Sequence, residues 1–202
     1  LQVGGKALIE HHIIRLAEAG FSEVVINVSH LAQQIVDFCG NGSRWGLIIE
    51  YSHEDQPLET AGGIHRALPL LGRHPLLVGN GDIWIDYDCG QLRGYRFDAE
   101  ESAHLVLGRN RPQHPNGDFL LESDGRVREL PPGEPGLTYA GVGVYSAAFF
   151  SGMRPGKLAL RPLLDDAIRQ QRLTGEYHPG GWEDVGTPER LRALDEAVSS
   201  RH

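Results

Sequence analysis

Apolar residues near the amino terminus recur with the spacing of one helix face, at Leu8, Ile9, Ile13, Leu16 and Ala17. This period predicts a helix from Ala7 to Ala19, with Gly20 at its carboxyl cap. The adjacent residues His11 and His12 lie on neighbouring faces of that helix, and we expect them to be surface or packing residues. The continuous run that follows, Glu23–Val28, is typical of a buried strand.

The same alternation continues along the next fifty residues. A second helix is predicted over 30–38 with Ser29 as its N-cap, a strand over 47–51, and a third helix from Thr60 to Leu71 with Thr60 as its N-cap. Strands and helices that alternate at short intervals indicate an α/β fold. We therefore expect one domain over residues 1–202, with a Rossmann-like, mostly parallel sheet and helices on both of its faces.

The stretch Pro75–Asp82 organises this pattern. Four mostly apolar residues run directly into Gly79, Asn80 and Gly81, which predicts a central parallel strand that ends in a tight turn. Asp82 then lies at the carboxyl end of the strand, where open α/β sheets bind their ligands. A carboxylate at this place approaches a phosphate only through a cation, so Asp82 is a candidate ligand for a divalent metal.

The second half of the chain supplies a partner for Asp82. Predicted strands cover 103–108, 118–127 (with a turn at 123–125) and 139–145, and predicted helices cover 160–170 and 187–199. Asp184 lies among small residues just before the last helix. Two carboxylates, with phosphate oxygens and water, are a common way to hold Mg²⁺ beside a nucleotide.

Composition excludes several classes of function. A net charge of −8 does not provide the basic surface that binding to nucleic acid requires. No apolar run is long enough to span a bilayer, so we expect no membrane partner and a cytoplasmic protein. Cys39 and Cys89 lack a metal or redox spacing and are expected to be reduced thiols.

Other patterns are weaker. Asp86-Tyr87-Asp88 has the D-x-D form of a glycosyltransferase metal motif, but three residues match easily by chance, and we interpret it as a solvated turn. Lys6, Arg109 and Arg111 carry charges suited to phosphates, although most such side chains are simply solvated.

Six short motifs occur in order along the whole chain: Val3–Ile9, Ser52–Gly63, Asn80-Gly81-Asp82, Gly117-Asp118-Phe119, Tyr139–Val142 and Trp182–Thr187. Together they resemble the sugar-1-phosphate nucleotidylyltransferases. The resemblance implies an enzyme that transfers a nucleotidyl group from an NTP to a sugar 1-phosphate with Mg²⁺ and releases pyrophosphate. The first expectation is uridylyl transfer from UTP to N-acetylmuramate 1-phosphate, a reaction of peptidoglycan recycling. The protein is expected to be a monomer or a weak homodimer.

The resemblance also implies roles for individual residues. Asp82 and Asp184 match the metal-binding aspartates, which are also the catalytic residues. The nucleotide-binding positions are Glu54, which reads the base, together with Glu59, Thr60 and Asn80. The sugar-binding positions are Asp118, Tyr139 and Gly141.

Two departures from the family pattern leave alternatives open. The glycine-rich G-x-G-x-R loop that wraps the triphosphate, and the Lys-Pro-Leu after it, are absent here; because the chain opens on Leu1, we expect them to precede this numbering. Arg128–Pro132 stands where many relatives have Glu-Lys-Pro, which leaves open whether a lysine contacts the sugar phosphate. A mannose-1-phosphate guanylyltransferase and a non-catalytic module that binds nucleotide sugars are the alternatives.

Overall fold

The computed structural model describes residues 1–98 and 100–200. The helices in this part of the chain are α1 (Leu8–Glu18), α2 (Ala32–Cys39), α3 (Glu59–Leu71), α4 (Arg161–Arg169) and α5 (Pro188–Ser199). The strands are β1 (Gln2–Val3), β2 (Lys6–Ala7), β3 (Glu23–Val28), β4 (Ile48–His53), β5 (Leu76–Gly79), β6 (Ile83–Ile85), β7 (Ala103–Gly108), β8 (Phe119–Leu121), β9 (Val127–Glu129), β10 (Thr138–Tyr145), β11 (Leu173–His178) and β12 (Trp182–Asp184).

The two N-caps predicted for α2 and α3 are both wrong. Ser29 does not cap α2, because the chain makes a further turn with Leu31 in the left-handed region, at φ 57°, before the helix begins. Thr60 does not cap α3, which starts one residue earlier and has no side-chain cap on its N-cap residue Leu58. At α5 the hydroxyl of Thr187 does accept a hydrogen bond from the Arg190 backbone N–H, at 3.3 Å.

The main sheet is mixed rather than mostly parallel. Its strand order is β11-β7-β10-β5, in which β11 and β7 pair in parallel while β10 is antiparallel to both β7 and β5. Within the described residues the strand β5, expected to be central and parallel, is thus at one edge, while β7 and β10 take the two inner positions and all six residues of β7 are buried. The return of β10 between β7 and β5 decides this arrangement, and local sequence does not encode it.

Helices cover both faces of this sheet, as the α/β pattern predicts. On one face Leu105 and Leu107 of β7 pack in a core with Ile64 of α3 and Leu164 of α4. On the other face Val106 belongs to a second core, against which residues of α1 and of the short 3₁₀ turn Cys89–Leu92 pack. Residues of β7 alternate between the two cores because successive side chains of a strand point to opposite faces.

A cavity of about 420 Å³ separates the two halves of the fold. It is lined by residues 24–27 of β3 and 76–79 of β5, with side chains of α1 and α3 at its sides. The strand β3 pairs in parallel with β4, and within the described residues neither β3 nor β5 has a partner strand on the cavity side. The cavity therefore lies between two open strand edges. We call it the β3–β5 cavity.

No described helix has the length and apolar character needed to cross a bilayer. Both cysteines are free and buried, in agreement with the expectation of reduced thiols. Burial raises the pKa of the Cys39 thiol and that of the Cys89 thiol, which makes both poor nucleophiles.

Candidate active site

The two predicted metal-binding aspartates lie side by side. Strand β6 pairs antiparallel with β12, and Asp184 stands opposite Ile83 in that register. The backbone N–H of Val185 then donates to the carbonyl oxygen of Asp82 at 2.9 Å. Two residues that are distant in sequence are thus held together by a short ladder at the end of β5.

The environments of the two carboxylates differ. Asp82 is exposed to solvent, whereas Oδ2 of Asp184 accepts a hydrogen bond from Nη1 of Arg190 at 3.0 Å. The side chains of Asp184 and Arg190 are 26% and 25% exposed, so this ion pair is partly shielded from water. It fixes one oxygen of Asp184 and directs the other towards the turn at Gly186.

This donor set is suited to Mg²⁺. The described residues contain no group of three or more His, Cys, Asp or Glu side chains that would form a metal cage of their own. Mg²⁺ commonly binds through one or two carboxylates and keeps water and phosphate oxygens for the rest of its octahedron. The pair Asp82 and Asp184 is adequate for that arrangement, and their role as ligands stays a prediction.

A glycine in β10 shapes the turn that precedes Asp82. Gly141 has φ 75° and lies in an irregular part of the pairing between β10 and β7. Its carbonyl accepts the Asn80 backbone N–H at 2.9 Å, and a Cβ on Gly141 would clash with the Ile83 side chain and lie 3.2 Å from the Asn80 Cβ. Both the backbone angle and this close approach require glycine, so Gly141 and Asn80 adjoin one another at the rim of the site.

The other predicted sugar-binding residues continue this rim. Oδ2 of Asp118 accepts the Tyr139 backbone N–H at 3.0 Å, which places its other oxygen towards solvent and Arg161. The Tyr139 hydroxyl lies 3.1 Å from the Tyr145 hydroxyl in the core below, and burial raises the pKa of Tyr139 to about 12. Tyr139 therefore contributes backbone to the rim, while its phenol is a core group.

Glu54 is at the opposite wall of the site. Its backbone N–H donates to the carbonyl of Val28 at 2.8 Å, directly after the parallel pairing of β3 and β4. Its Oε2 accepts the backbone N–H of Leu58, just before α3, at 2.9 Å. A Cβ on Gly63 would come within 2.5 Å of Oε1. The carboxylate thus lies against the first turn of α3, where the helix dipole favours negative charge.

The first turn of α3 is bound to a segment from the other side of the site. Glu59 opens the helix at φ 59°, an unusual conformation for a residue with a side chain, and Thr60 follows it, partly buried. Residues 156–161, which we call the strap, lie against this turn: Leu158 donates to the Leu58 carbonyl at 2.9 Å and accepts from the Gly62 N–H at 3.1 Å. Strained backbone of this kind is commonly retained at ligand sites.

Several candidate residues have structural partners. Asp86 of the D-x-D pattern accepts hydrogen bonds from Gly181 and lies 2.7 Å from Nε2 of His178, and Asp88 caps the 3₁₀ turn through Gly90. Arg109 donates to the hydroxyl of Tyr177. Both acids of the D-x-D pattern are thus engaged by nearby backbone N–H groups or by a neighbouring histidine, in keeping with the interpretation of the pattern as a turn.

Three cations of the site were not singled out by the sequence pattern. Arg190 binds Asp184, Arg161 lies beside Asp118, and Lys157 lies 3.3 Å from Glu59. Arg111, which was expected to be solvated, instead donates to the Trp182 carbonyl and lies over the Trp182 ring. Only Arg190 had a local signal, since it follows a capping threonine at the start of a predicted helix.

Comparison with known proteins decides the family. The profile described as "Nucleotidyl transferase" matches residues 1–201. The chain belongs to the nucleotidyl transferase family. It is therefore an enzyme of that family, as the motifs predicted, and the α/β fold with its mixed sheet is the fold of such enzymes.

The relatives refine the comparison. The chain is 47% identical over 196 residues to "N-acetylmuramate alpha-1-phosphate uridylyltransferase" of Neisseria meningitidis, covering 95% of this chain and 85% of the relative. It is 33% identical over 211 residues to the enzyme of the same name from Caulobacter vibrioides, covering 96% and 85%. A more distant relative, "Mannose-1-phosphate guanylyltransferase" of Mycobacterium tuberculosis, is 27% identical and is covered over 55% of its length.

A solved structure agrees with the fold. The crystal structure described as a glucose-1-phosphate thymidylyltransferase of Bacillus anthracis superimposes with a TM-score of 0.84 at 19% identity, covering 98% of this chain and 85% of that one. At this identity the likeness concerns the fold alone.

Proposed function

We propose that this enzyme transfers a uridylyl group from UTP to N-acetylmuramate 1-phosphate, with release of pyrophosphate. The observation that carries the proposal is the 47% identity, over nearly the whole chain, to a relative named for this reaction. The reaction belongs to peptidoglycan recycling and would take place in the cytoplasm, where UTP is made. Guanylyl transfer to mannose 1-phosphate is the second candidate, favoured by the more distant relative.

The arrangement of the site is suited to this chemistry. Glu54 and the first turn of α3, with Glu59 and Thr60, form the nucleotide side. Asp118 and Gly141 form the sugar side, with the backbone of Tyr139. Asn80 and the two aspartates lie between them, next to the phosphates. Holding two polyanions in one geometry supplies much of the rate in such transfers.

The transfer needs no general base. A phosphate oxygen of the sugar 1-phosphate, already ionised, attacks the α-phosphorus of UTP, and the bond from that phosphorus to the bridging oxygen of the β-phosphate breaks. Pyrophosphate leaves with the electron pair of that bond, so atoms and charges balance without proton transfer. Mg²⁺ held by Asp82 and Asp184 would neutralise charge on the phosphates.

The test is a pyrophosphate-release assay of the full-length protein. Four NTPs are each combined with N-acetylmuramate 1-phosphate, N-acetylglucosamine 1-phosphate and mannose 1-phosphate in the presence of Mg²⁺. We expect the highest kcat/KM for UTP with N-acetylmuramate 1-phosphate. Higher kcat/KM for GTP with mannose 1-phosphate would establish the second candidate.

A further inference from the structure

Arg161, the first residue of α4, lies beside the predicted sugar-binding residue Asp118. Its Nη1 is 4.0 Å from Oδ1 of Asp118, and its guanidinium lies 4.6 Å above the centroid of the Phe119 ring. Its side chain is 50% exposed, so the cation remains accessible to a ligand. The strap therefore ends in a cation at the sugar side of the site.

The contacts of Arg161 fix its plane and leave its outer nitrogens available. Nε donates to Oδ1 of Asp165, one turn further along α4, at 2.7 Å. Within the described residues Nη1 and Nη2 donate no hydrogen bond, since the 4.0 Å separation from Asp118 exceeds hydrogen-bond distance. The Phe119 ring supports the flat guanidinium from one side. The result is a pre-oriented pair of N–H donors, the geometry that binds a carboxylate bidentately.

The sugar of the proposed substrate carries such a carboxylate. N-acetylmuramate differs from N-acetylglucosamine by a lactyl ether on O3, and the carboxyl group of that ether is ionised at neutral pH. A cation at the sugar side separates the two sugars because it forms strong, charge-assisted hydrogen bonds with this carboxylate alone. We propose that Arg161 binds the lactyl carboxylate and thereby selects N-acetylmuramate 1-phosphate, an inference that rests on the proposed function.

The other cations of the site are committed elsewhere. Arg190 donates to Asp184, the predicted metal ligand, at 3.0 Å. Arg111 donates to the Trp182 carbonyl and lies 3.6 Å from Glu183. Lys157 lies at the opposite end of the strap, beside Glu59 on the nucleotide side. Of these cations, Arg161 is the one that lies against a residue of the predicted sugar pocket.

The acids around Arg161 orient it. Oδ1 of Asp165 accepts a hydrogen bond from Nε of Arg161. One carboxylate oxygen of Asp118 accepts a hydrogen bond from the Tyr139 backbone N–H. A lactyl carboxylate at Nη1 and Nη2 would add a third negative charge here, so binding depends on the directed hydrogen bonds of the guanidinium. Lysine, with one compact charge and no fork, is expected to replace it poorly.

The experiment compares two sugars in Arg161→Gln, Arg161→Lys and wild-type full-length enzyme. With UTP, kcat/KM for N-acetylmuramate 1-phosphate is expected to fall about 10- to 100-fold in Arg161→Gln and somewhat less in Arg161→Lys. The value for N-acetylglucosamine 1-phosphate should change by less than about 3-fold, because that sugar lacks the carboxylate. Arg169→Gln, an exposed arginine of the same helix paired with Asp166, is the matched control and should leave the ratio of the two values unchanged.

The outcomes separate the two proposals. If the wild-type enzyme does not use N-acetylmuramate 1-phosphate, the proposed function fails. If it does and Arg161→Gln lowers kcat/KM equally for both sugars, or for neither, the role of Arg161 is wrong while the proposed function stands. Should Arg161→Gln not fold, as judged by thermal unfolding, Arg161→Lys decides the matter by the same ratio.

Discussion

Oδ2 of Asp184 accepts a hydrogen bond from Nη1 of Arg190, at 3.0 Å, across the turn that connects β12 to α5. The pairing assigns the two carboxylate oxygens of Asp184 to different tasks. Oδ2 is engaged by Arg190, and Oδ1 lies at the turn near Gly186. Arg190 is thus a positioning residue for the predicted metal ligand.

The first prediction concerns the two aspartates. Asp82→Asn and Asp184→Asn keep the size of each side chain but remove its charge, so each should lower kcat by about 100-fold or more. Both variants should keep the fold, and Asp184→Asn should lose up to about 1 kcal/mol in its free energy of unfolding because its ion pair is removed. The measurements are pyrophosphate release and urea-induced unfolding.

Asp88→Asn is the matched control for that experiment. Asp88 is an exposed carboxylate nearby in sequence whose Oδ1 caps a 3₁₀ turn. Its variant should retain kcat within about 3-fold, since asparagine is also a good cap. An Asp82→Asn enzyme as active as Asp88→Asn would remove Asp82 from the metal site.

The second prediction concerns the base. A carboxylate accepts the N3–H of uracil, whereas the cytosine ring presents an acceptor at the equivalent nitrogen. Glu54→Gln can still accept the Leu58 N–H through its amide oxygen, so the start of α3 should survive. We expect kcat/KM for UTP to fall by about 10-fold and the preference for UTP over CTP to narrow.

Asp55→Asn controls for the loss of one negative charge in this loop. The Asp55 side chain is 96% exposed and lies 4.0 Å from Arg66. The Asp55→Asn variant should therefore keep the wild-type preference for UTP over CTP. An unchanged ratio of UTP to CTP in Glu54→Gln would place base recognition in the backbone near Glu59 and in the phosphate loop.

The third prediction concerns stability against pH. Nε2 of His12 is buried without a hydrogen-bond partner in the described structure, and burial, with Arg15 and His11 nearby, lowers the pKa of His12 from 6.5 to about 4. The unfolded chain therefore takes up this proton below about pH 6.5 while the folded chain resists it until about pH 4. Stability is retained above pH 6.5 and lost as the pH falls through that window.

The measurement is urea-induced unfolding at pH 7.5 and pH 5. Between these two pH values the free energy of unfolding of wild type should fall by about 2 kcal/mol more than that of His12→Gln, because glutamine has no proton to gain at this position. His74→Gln, at an exposed histidine, is the control and should follow wild type. If the free energy of unfolding falls equally in wild type and in His12→Gln, protonation of His12 does not contribute to the pH dependence of stability.

Local sequence predicted those parts of the fold that depend on short-range patterns. The bounds of β3 were predicted correctly, because the apolar residues of Glu23–Val28 lie between turn signals, but the expected burial was wrong, since only Val28 of this strand is buried. The helix after Thr187 was also correct, since capping is local. The parallel pairing expected of β5 was wrong, because its neighbour β10 lies more than fifty residues away in sequence and joins it in the antiparallel direction.

The residues of the candidate site also divide into those that local sequence could predict and those that it could not. Asp82, Asp184 and Glu54 could be predicted as site residues because each belongs to a motif that keeps its order along the chain, and their roles stay predictions. Arg161 was missed because it meets Asp118 only when the strap turns back across the site. A contact of this kind has no fixed spacing in sequence, so no period or motif reports it.

Gly62 joins the two walls of the site. Its N–H binds the strap at Leu158, and the Gly156 carbonyl lies where any larger residue would place its Cβ. For protein engineering this means that the first turn of α3 and the strap form one hydrogen-bonded unit. A chimera that exchanges residues 54–62 without residues 156–161 must keep glycine at position 62, because any Cβ there meets the Gly156 carbonyl of the strap.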